Sequence, residues 1–254
     1  MRRAVFVALF VLAVPAASTG QPASPWRVDY TSERAAVSTN AVESTWLTHR
    51  IQTTWSRPNE GGWLVALERQ SRYGFTDVTA SGRGYRRVGD WTFAAGAGAT
   101  PAADFLFRAS LEGDVSRRVV GTIVATGGYR FLSFAAADIH QVQPALTWYH
   151  ARGEVEARVF LTRNVARDRT TPAVLMRTTY AVNPRLQLTA GASLGDRIFD
   201  IAAFQSGTAE SRVVFGSALV GITAHDFVNF GATVANEHPA FTYRSFTLGY
   251  RRVF

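Results

Sequence analysis

The last fourteen residues, Phe241 to Phe254, FTYRSFTLGYRRVF, constrain this chain more than any other stretch. Read in steps of two, Phe246, Leu248, Tyr250, Arg252 and Phe254 fall on one face, and Tyr243, Ser245, Thr247, Gly249, Arg251 and Val253 on the other. One face is mostly large and apolar and the other mostly small or polar. A period of two belongs to a strand and not to a helix. An outer-membrane β-barrel closes its cylinder with such a strand, which makes Phe246, Leu248, Tyr250 and Phe254 the candidate closure and insertion signal. Arg252 departs from the apolar face, where a guanidinium can snorkel to headgroups. The edge strand of a soluble sandwich shows the same alternation, so the rest of the chain has to decide.

The amino end points the same way. Arg2 and Arg3 precede the apolar run Ala4 to Val14, followed by Pro15, Ala16, Ala17, Ser18, Thr19 and Gly20. A basic head, a short apolar middle and a small-residue exit are the marks of a secretory signal peptide, too short to span a bilayer as a helix. Residues 1–20 are therefore expected to be removed between Ala17 and Gly20, leaving 21–254 as one domain. No Cys lies near the exit, so no lipoprotein anchor is expected, and the absence of Cys removes disulfide and thiol chemistry.

Hydrophobic residues make up 47% of the chain and charged residues only 18%, a low charge content for a soluble domain. The balance is basic, +8 over the whole chain, and no Lys occurs, so every fixed positive charge is a guanidinium. Guanidinium forks suit phosphate and carboxylate. In an exported chain that points to lipopolysaccharide headgroups or an anionic solute, not to nucleic acid.

After the signal the chain is one alternation repeated. About fourteen strands of membrane-crossing length fit between the turn signals, with twelve the next count. They include Trp26 to Val37, Glu43 to Ser56, Asp104 to Asp114, Arg118 to Phe131, Asp138 to His150 and Phe241 to Phe254. Short turns are expected at Arg57 to Gly61, Gly89-Asp90, Val115 to Arg117, Ala151 to Gly153, Asn183-Pro184 and Ala224-His225. The longer polar stretches Ala166 to Pro172 and Gly195 to Glu210 fall on the opposite side, and the connection near Gly74 breaks the trend by being tight. Short turns on one side and long loops on the other describe an all-β, transmembrane, antiparallel up-and-down β-barrel in the outer membrane of a Gram-negative bacterium.

Within strands the faces separate. Phe105, Phe107, Ala109 and Leu111 oppose Arg108, Ser110 and Glu112, and Val155, Ala157, Val159 and Leu161 oppose Glu154, Glu156 and Arg158. Trp46, Trp55, Trp63, Trp91, Trp148 and Tyr149 lie near strand ends, where interfacial girdles form. The inward set by this pattern holds Arg50, Asp77, Arg83, Arg87, Arg108, Glu112, Arg130, Glu154, Glu156, Arg158, Arg177, Arg185 and Arg251. Nine of those are Arg, which suits a lumen that contacts anions. Pairing of Arg with Glu across a mostly closed interior is the other reading of the same residues. The pairs Arg86-Arg87, Arg117-Arg118 and Arg251-Arg252 stand near short-turn ends, where they either anchor the barrel or bind lipid phosphate. Gly96 and Gly98, among Ala95, Ala97 and Ala99, make a strand of small residues that invites close approach or a bend.

The five His residues form no catalytic set. His225 and Asp226 are adjacent and point to opposite faces, and His49, His140 and His150 fall on or near outward faces. No enzyme activity, cofactor or metal site is expected.

The span Arg72 to Val165 resembles the YaiO-type outer-membrane β-barrel family. The resemblance rests on Tyr85-Arg86-Arg87, Asp104-Phe105-Leu106, Tyr129-Arg130-Phe131, Pro144 and Tyr149, and continues more weakly to Phe254. Many relatives have Pro after the Phe-Leu pair, where this chain has Phe107. The family implies a barrel without an assigned activity, and its association with cell-surface polysaccharide systems implies a role in polymer export. The expectation is transport or export of an anionic polysaccharide or small anionic solute. A non-conducting structural or partner-binding barrel, and a barrel enzyme acting on lipid or polysaccharide, are the alternatives. Expected partners are outer-membrane lipids including lipopolysaccharide, the barrel insertion machinery and a polysaccharide export system.

Overall fold

The computed structural model describes residues 25–39, 43–57, 59–196, 210–237 and 241–254. The expected signal peptide, residues 1–20, lies outside them. The strands are β1 (Trp26–Thr39), β2 (Glu43–Arg57), β3 (Gly61–Arg72), β4 (Phe75–Val88), β5 (Trp91–Ala99), β6 (Ala109–Val120), β7 (Ile123–Ser133) and β8 (Asp138–Val142). They continue as β9 (Ala145–His150), β10 (Gly153–Asn164), β11 (Arg169–Asn183), β12 (Leu186–Asp196), β13 (Glu210–Gly221), β14 (Asp226–Glu237) and β15 (Phe241–Val253). Each pairs antiparallel with the strands beside it in the wall, and β15 closes the wall on β1 from Arg27↔Val253 to Thr39↔Phe241. The alternation of Phe241 to Phe254 thus belongs to the strand that seals the cylinder.

β8 and β9 are halves of one strand. Pro144 interrupts them because it has no N–H for the ladder, yet Gly128 and Gln143 still exchange backbone bonds of 3.2 and 2.8 Å and Val159 donates to the Pro144 carbonyl at 2.9 Å. Both halves pair with β7 and β10, so fourteen strands make the wall, as expected.

Exposed apolar side chains such as Leu67, Leu111, Met176, Val214 and Phe246 cover the outside, each more than half exposed. A closed barrel in water would bury them, whereas in lipid they are solvated. Around the short-turn rim Trp26, Trp63, Trp91 and Trp148 face outward, with Trp26 and Trp63 in edge contact at 5.4 Å. Trp46 and Tyr149 do not join this girdle. Trp46 faces the interior and is 3% exposed. Tyr149 follows Ala145 and Thr147 on the inward side of β9.

The wall departs from expectation between residues 104 and 131. Asp104 to Arg108 leave the sheet, and β6 runs from Ala109 through Ser116 and Arg117 to Val120. The turn expected at Val115 to Arg117 falls instead at Gly121-Thr122. Gly121 supplies φ +52 there, a region that suits glycine. Ser116 and Arg117, which resemble turn residues, are ladder partners of Thr126 and Ala125. Their polarity has another cause: Ser116 Oγ meets Thr126 Oγ1 inside at 2.9 Å, and the Arg117 guanidinium lies 4.9 Å over the Trp91 ring outside. The polar stretch from Ala166 also turns back early, with β11 starting at Arg169. Most of the long Gly195 to Glu210 connection lies outside the described residues.

Candidate functional site: a plugged outer mouth over a charged lumen

The connection between β5 and β6 folds into the long-loop mouth of the barrel. Its anchor is Asp77, two residues into β4 and 1% exposed. Asp77 Oδ1 accepts the Asp104 N–H at 2.9 Å, and Oδ2 accepts those of Phe105 and Leu106 at 3.0 and 2.8 Å. Three consecutive amides converging on one carboxylate form an anion nest, and the charge strengthens each bond. Thr79 and Thr100 add a hydroxyl pair at 2.7 Å at the base of the segment.

The anchored segment turns Phe105, Leu106 and Phe107 inward, each 4 to 5% exposed, onto Leu132, Phe134 and Ile139. Phe105 and Phe107 therefore do not face lipid as their spacing predicted. The reason is that Asp77 captures the backbone before the chain can enter the ladder. A second cluster of Ala35, Val37 and Trp46, flanked by Tyr73 and Tyr243, lines the same mouth. Arg72 joins the two, its guanidinium 4.5 Å from the Trp46 ring and 5.0 Å from that of Phe105.

Below the plug the inward positions carry paired charge. Arg83 on β4 bonds Glu112 at 2.6 Å and also pairs with Asp114. Gly96, between them on β5, leaves the room: a Cβ there would stand 2.9 Å from Glu112 Oε1 and 3.1 Å from Arg83 Cβ. The small inward residues of β5 therefore admit neighbouring side chains, and its register with β4 and β6 runs unbroken. Arg177 bridges Glu154 at 3.0 Å and Glu156 at 3.2 Å, Arg158 bonds Glu156 at 3.0 Å and Gln143 at 3.1 Å, and Gln143 passes the chain to Gln141 at 2.6 Å. Arg251 and Arg27 share Asp29 at 2.5 and 2.7 Å, and Arg50 faces Glu68 at 3.7 Å. Glu33 accepts hydrogen bonds from the Tyr243 and Thr247 hydroxyls.

Of the residues expected inward, Arg50, Asp77, Arg83, Glu112, Arg130, Glu154, Glu156, Arg158, Arg177 and Arg251 are inside. Arg87 lies at the short-turn end and bonds Asn59 at 2.6 Å and the Gly89 carbonyl at 3.1 Å. Arg108 and Arg185 are exposed and precede β6 and β12, so they do not line the lumen. Six inward charges went unread: Arg27, Asp29, Glu33, Glu68, Arg72 and Asp114. They bring these inward positions to eight Arg against eight carboxylates, where the sequence suggested nine against four. Period two on β1 and β3 would have found five of them. Asp114 was lost to the misplaced turn.

Arg130 stands apart. It is the inward Arg, among the described residues, with neither a hydrogen bond nor an ion pair, and its Nε is buried without a partner. Its neighbours across the sheet are Glu112 and Gln141, and Leu132 of the plug cluster is the next inward residue on its strand.

The closing strand places Phe246, Leu248, Tyr250 and Phe254 on the outer surface, all exposed. Arg252 reaches Asp226 at 3.4 Å and lies 5.5 Å over the Phe254 ring, while the Tyr250 hydroxyl bonds the same Asp226 at 2.5 Å. The outward guanidinium is thus held at the rim by a carboxylate partner.

A closed antiparallel cylinder with an apolar outside, an aromatic rim and a charged interior defines an outer-membrane β-barrel protein. The profile of the YaiO membrane beta barrel domain matches residues 31–197, well over half of the chain, and the chain belongs to that family. Among solved structures it is similar to Omp33 of Acinetobacter baumannii, with TM-score 0.54 at 17% identity over 92% of this chain and 100% of that one. It is also similar to an outer membrane channel from Pseudomonas putida F1, with TM-score 0.55 at 10% identity over 96% and 100%. A KdgM porin in complex with disordered oligogalacturonate superposes with TM-score 0.51 at 8% identity over 90% and 99%. At these identities the likeness is one of fold. No curated protein matches the sequence significantly.

Proposed function

We propose that this barrel transports a small anionic solute or acidic saccharide across the outer membrane, and that residues 100–108 shut its outer mouth at rest. The observation that carries the reading is the convergence of the Asp104, Phe105 and Leu106 amides on Asp77. Asp77 alone holds the middle of the segment by its backbone, while its ends are tied by the Thr100 N–H on the Arg108 carbonyl at 3.0 Å and the Arg108 N–H on the Ser133 carbonyl at 2.7 Å, so residues 104–106 can leave without unpicking the wall. Beneath it Arg130 offers a guanidinium with no protein partner, which favours an anion. The porin with bound oligogalacturonate supports the substrate class by fold only. This reading gives the barrel no enzymatic role, in keeping with the outward position of His49, His140 and His150. It leaves a polysaccharide export system as the natural supplier of a saccharide.

The balance of eight inward Arg and eight carboxylates favours a second reading, a non-conducting barrel that binds a partner. Planar-bilayer conductance separates the two. Wild type is expected to be nearly silent, while Asp77→Ala and a deletion of residues 102–107 conduct with anion preference that falls in an added Arg130→Gln. Silence in both opened variants, with the barrel folded by heat-dependent gel mobility, leaves the second reading.

A further inference from the structure

Three outward guanidiniums have no use within the protein. Arg34 on β1, Arg69 on β3 and Arg244 on β15 are exposed between inward neighbours, Glu33 and Ala35, Glu68 and Gln70, and Tyr243 and Ser245. None has a hydrogen-bond or ion-pair partner among the described residues. They are not scattered. β15, β1, β2 and β3 are consecutive in the wall, Arg34 pairs with Phe246 and Ala36 with Arg244, so the two Arg are diagonal neighbours on one face. Diagonal positions lie about 7 Å apart, within reach of one ligand for long side chains. Arg69 pairs with His49, which pairs with Ser32, one outward position below Arg34.

Their depth is equally telling. Arg244 lies eight residues above Arg252 on the same face of β15. At about 3.3 Å per residue and a tilt near 40° that is a rise of roughly 20 Å, close to the height of an outer-membrane barrel's apolar band. Phe246, Leu248 and Tyr250 fill the interval. The three Arg therefore stand where the hydrocarbon of the outer leaflet ends and its headgroups begin. Leaving guanidiniums unpaired at that level is costly unless the lipid supplies the counter-charge.

We infer that Arg34, Arg69 and Arg244 form a docking surface for the phosphates of lipopolysaccharide in the outer leaflet. Guanidinium forks bind phosphate through two parallel bonds, and the Arg34–Arg244 pair can clasp one phosphate from both sides while Arg69 takes another. The surface spans the β15–β1 seam, so a bound lipid would bridge the closing strands.

The test uses the full barrel refolded in detergent, mixed with lipopolysaccharide and passed through gel filtration, with retained lipid counted by native mass spectrometry. The variant Arg34→Gln/Arg69→Gln/Arg244→Gln is expected to retain lipopolysaccharide about tenfold less well or worse. Arg86→Gln/Arg117→Gln, which removes outward Arg at the opposite rim, should retain it as wild type does. Lipopolysaccharide stripped of its lipid A phosphates should behave on wild type as the intact lipid does on the triple variant. Equal retention by the triple variant, equal retention of the dephosphorylated lipid, or equal retention of phosphatidylglycerol would each overturn the assignment.

Discussion

The guanidinium of Arg72 stands 4.5 Å over the ring of Trp46, inside the barrel and beneath its outer mouth. Because the same group faces Phe105 at 5.0 Å, one β3 side chain couples the wall-borne aromatic cluster to the infolded segment. A planar cation between two rings is a contact that an ammonium reproduces poorly. Arg72→Lys is therefore expected to loosen the plug by about 1 kcal/mol. External protease cleavage within residues 100–108 should rise severalfold while the barrel stays folded.

Asp77→Ala should act more strongly on the same segment. Removing the carboxylate strands three amide N–H groups, at about 1 to 3 kcal/mol for each that finds no water. Cleavage within residues 100–108 is expected to exceed that in Arg72→Lys, and Asp77→Asn, which retains one acceptor oxygen, should fall between. Unchanged protection in Asp77→Ala would mean that apolar packing alone holds the plug.

Arg177 lies between Glu154 and Glu156 with all three side chains nearly buried. Arg177→Met leaves two carboxylates facing each other, and breaking such a cluster costs about 3 to 5 kcal/mol. The midpoint of urea unfolding in lipid vesicles should fall accordingly. In the double change Arg177→Met/Glu154→Gln most of that loss should return, because Glu156 keeps Arg158 and no uncompensated charge remains.

The two faces of β5 can be read by substitution. A Cβ on Gly96 would come 2.9 Å from the Gly82 carbonyl oxygen as well as from Glu112, so Gly96→Val is expected to impair folding and separate Arg83 from Glu112. Ala97→Val, one residue on and facing lipid, should change stability by less than about 0.5 kcal/mol. Similar effects at both positions, measured by the fraction of heat-modifiable barrel after refolding, would contradict the assigned faces.

Turn position offers a further check. Gly121 has φ +52 and nothing near its Cβ position, so Gly121→Ala should cost about 1 kcal/mol through the backbone alone. Ser116→Ala, at the turn that composition suggested, removes only the hydroxyl contact with Thr126. Its effect on the unfolding midpoint should be the smaller.

The alternation of Phe246, Leu248 and Tyr250 against Ser245, Thr247 and Gly249 is a local property of the chain, enough to make a strand and separate its two faces, and its repetition between short turns and longer loops along the chain implied a closed cylinder in lipid. The same held for β10 and β12, where each residue's side follows from its neighbours. Nothing local announced that Phe105 and Phe107 turn inward, since their spacing suits a lipid face as well. That outcome rests on Asp77, 28 residues earlier than Phe105. Asp29 meets Arg251 across 222 positions of sequence, and Arg83 meets Asp114 across 31. Period two states which way a side chain points, while pairing depends on which strands the closed wall sets side by side. The chain alone therefore determined a barrel with an Arg-rich interior, and only the tertiary structure decided that the interior is nearly neutral and its mouth plugged.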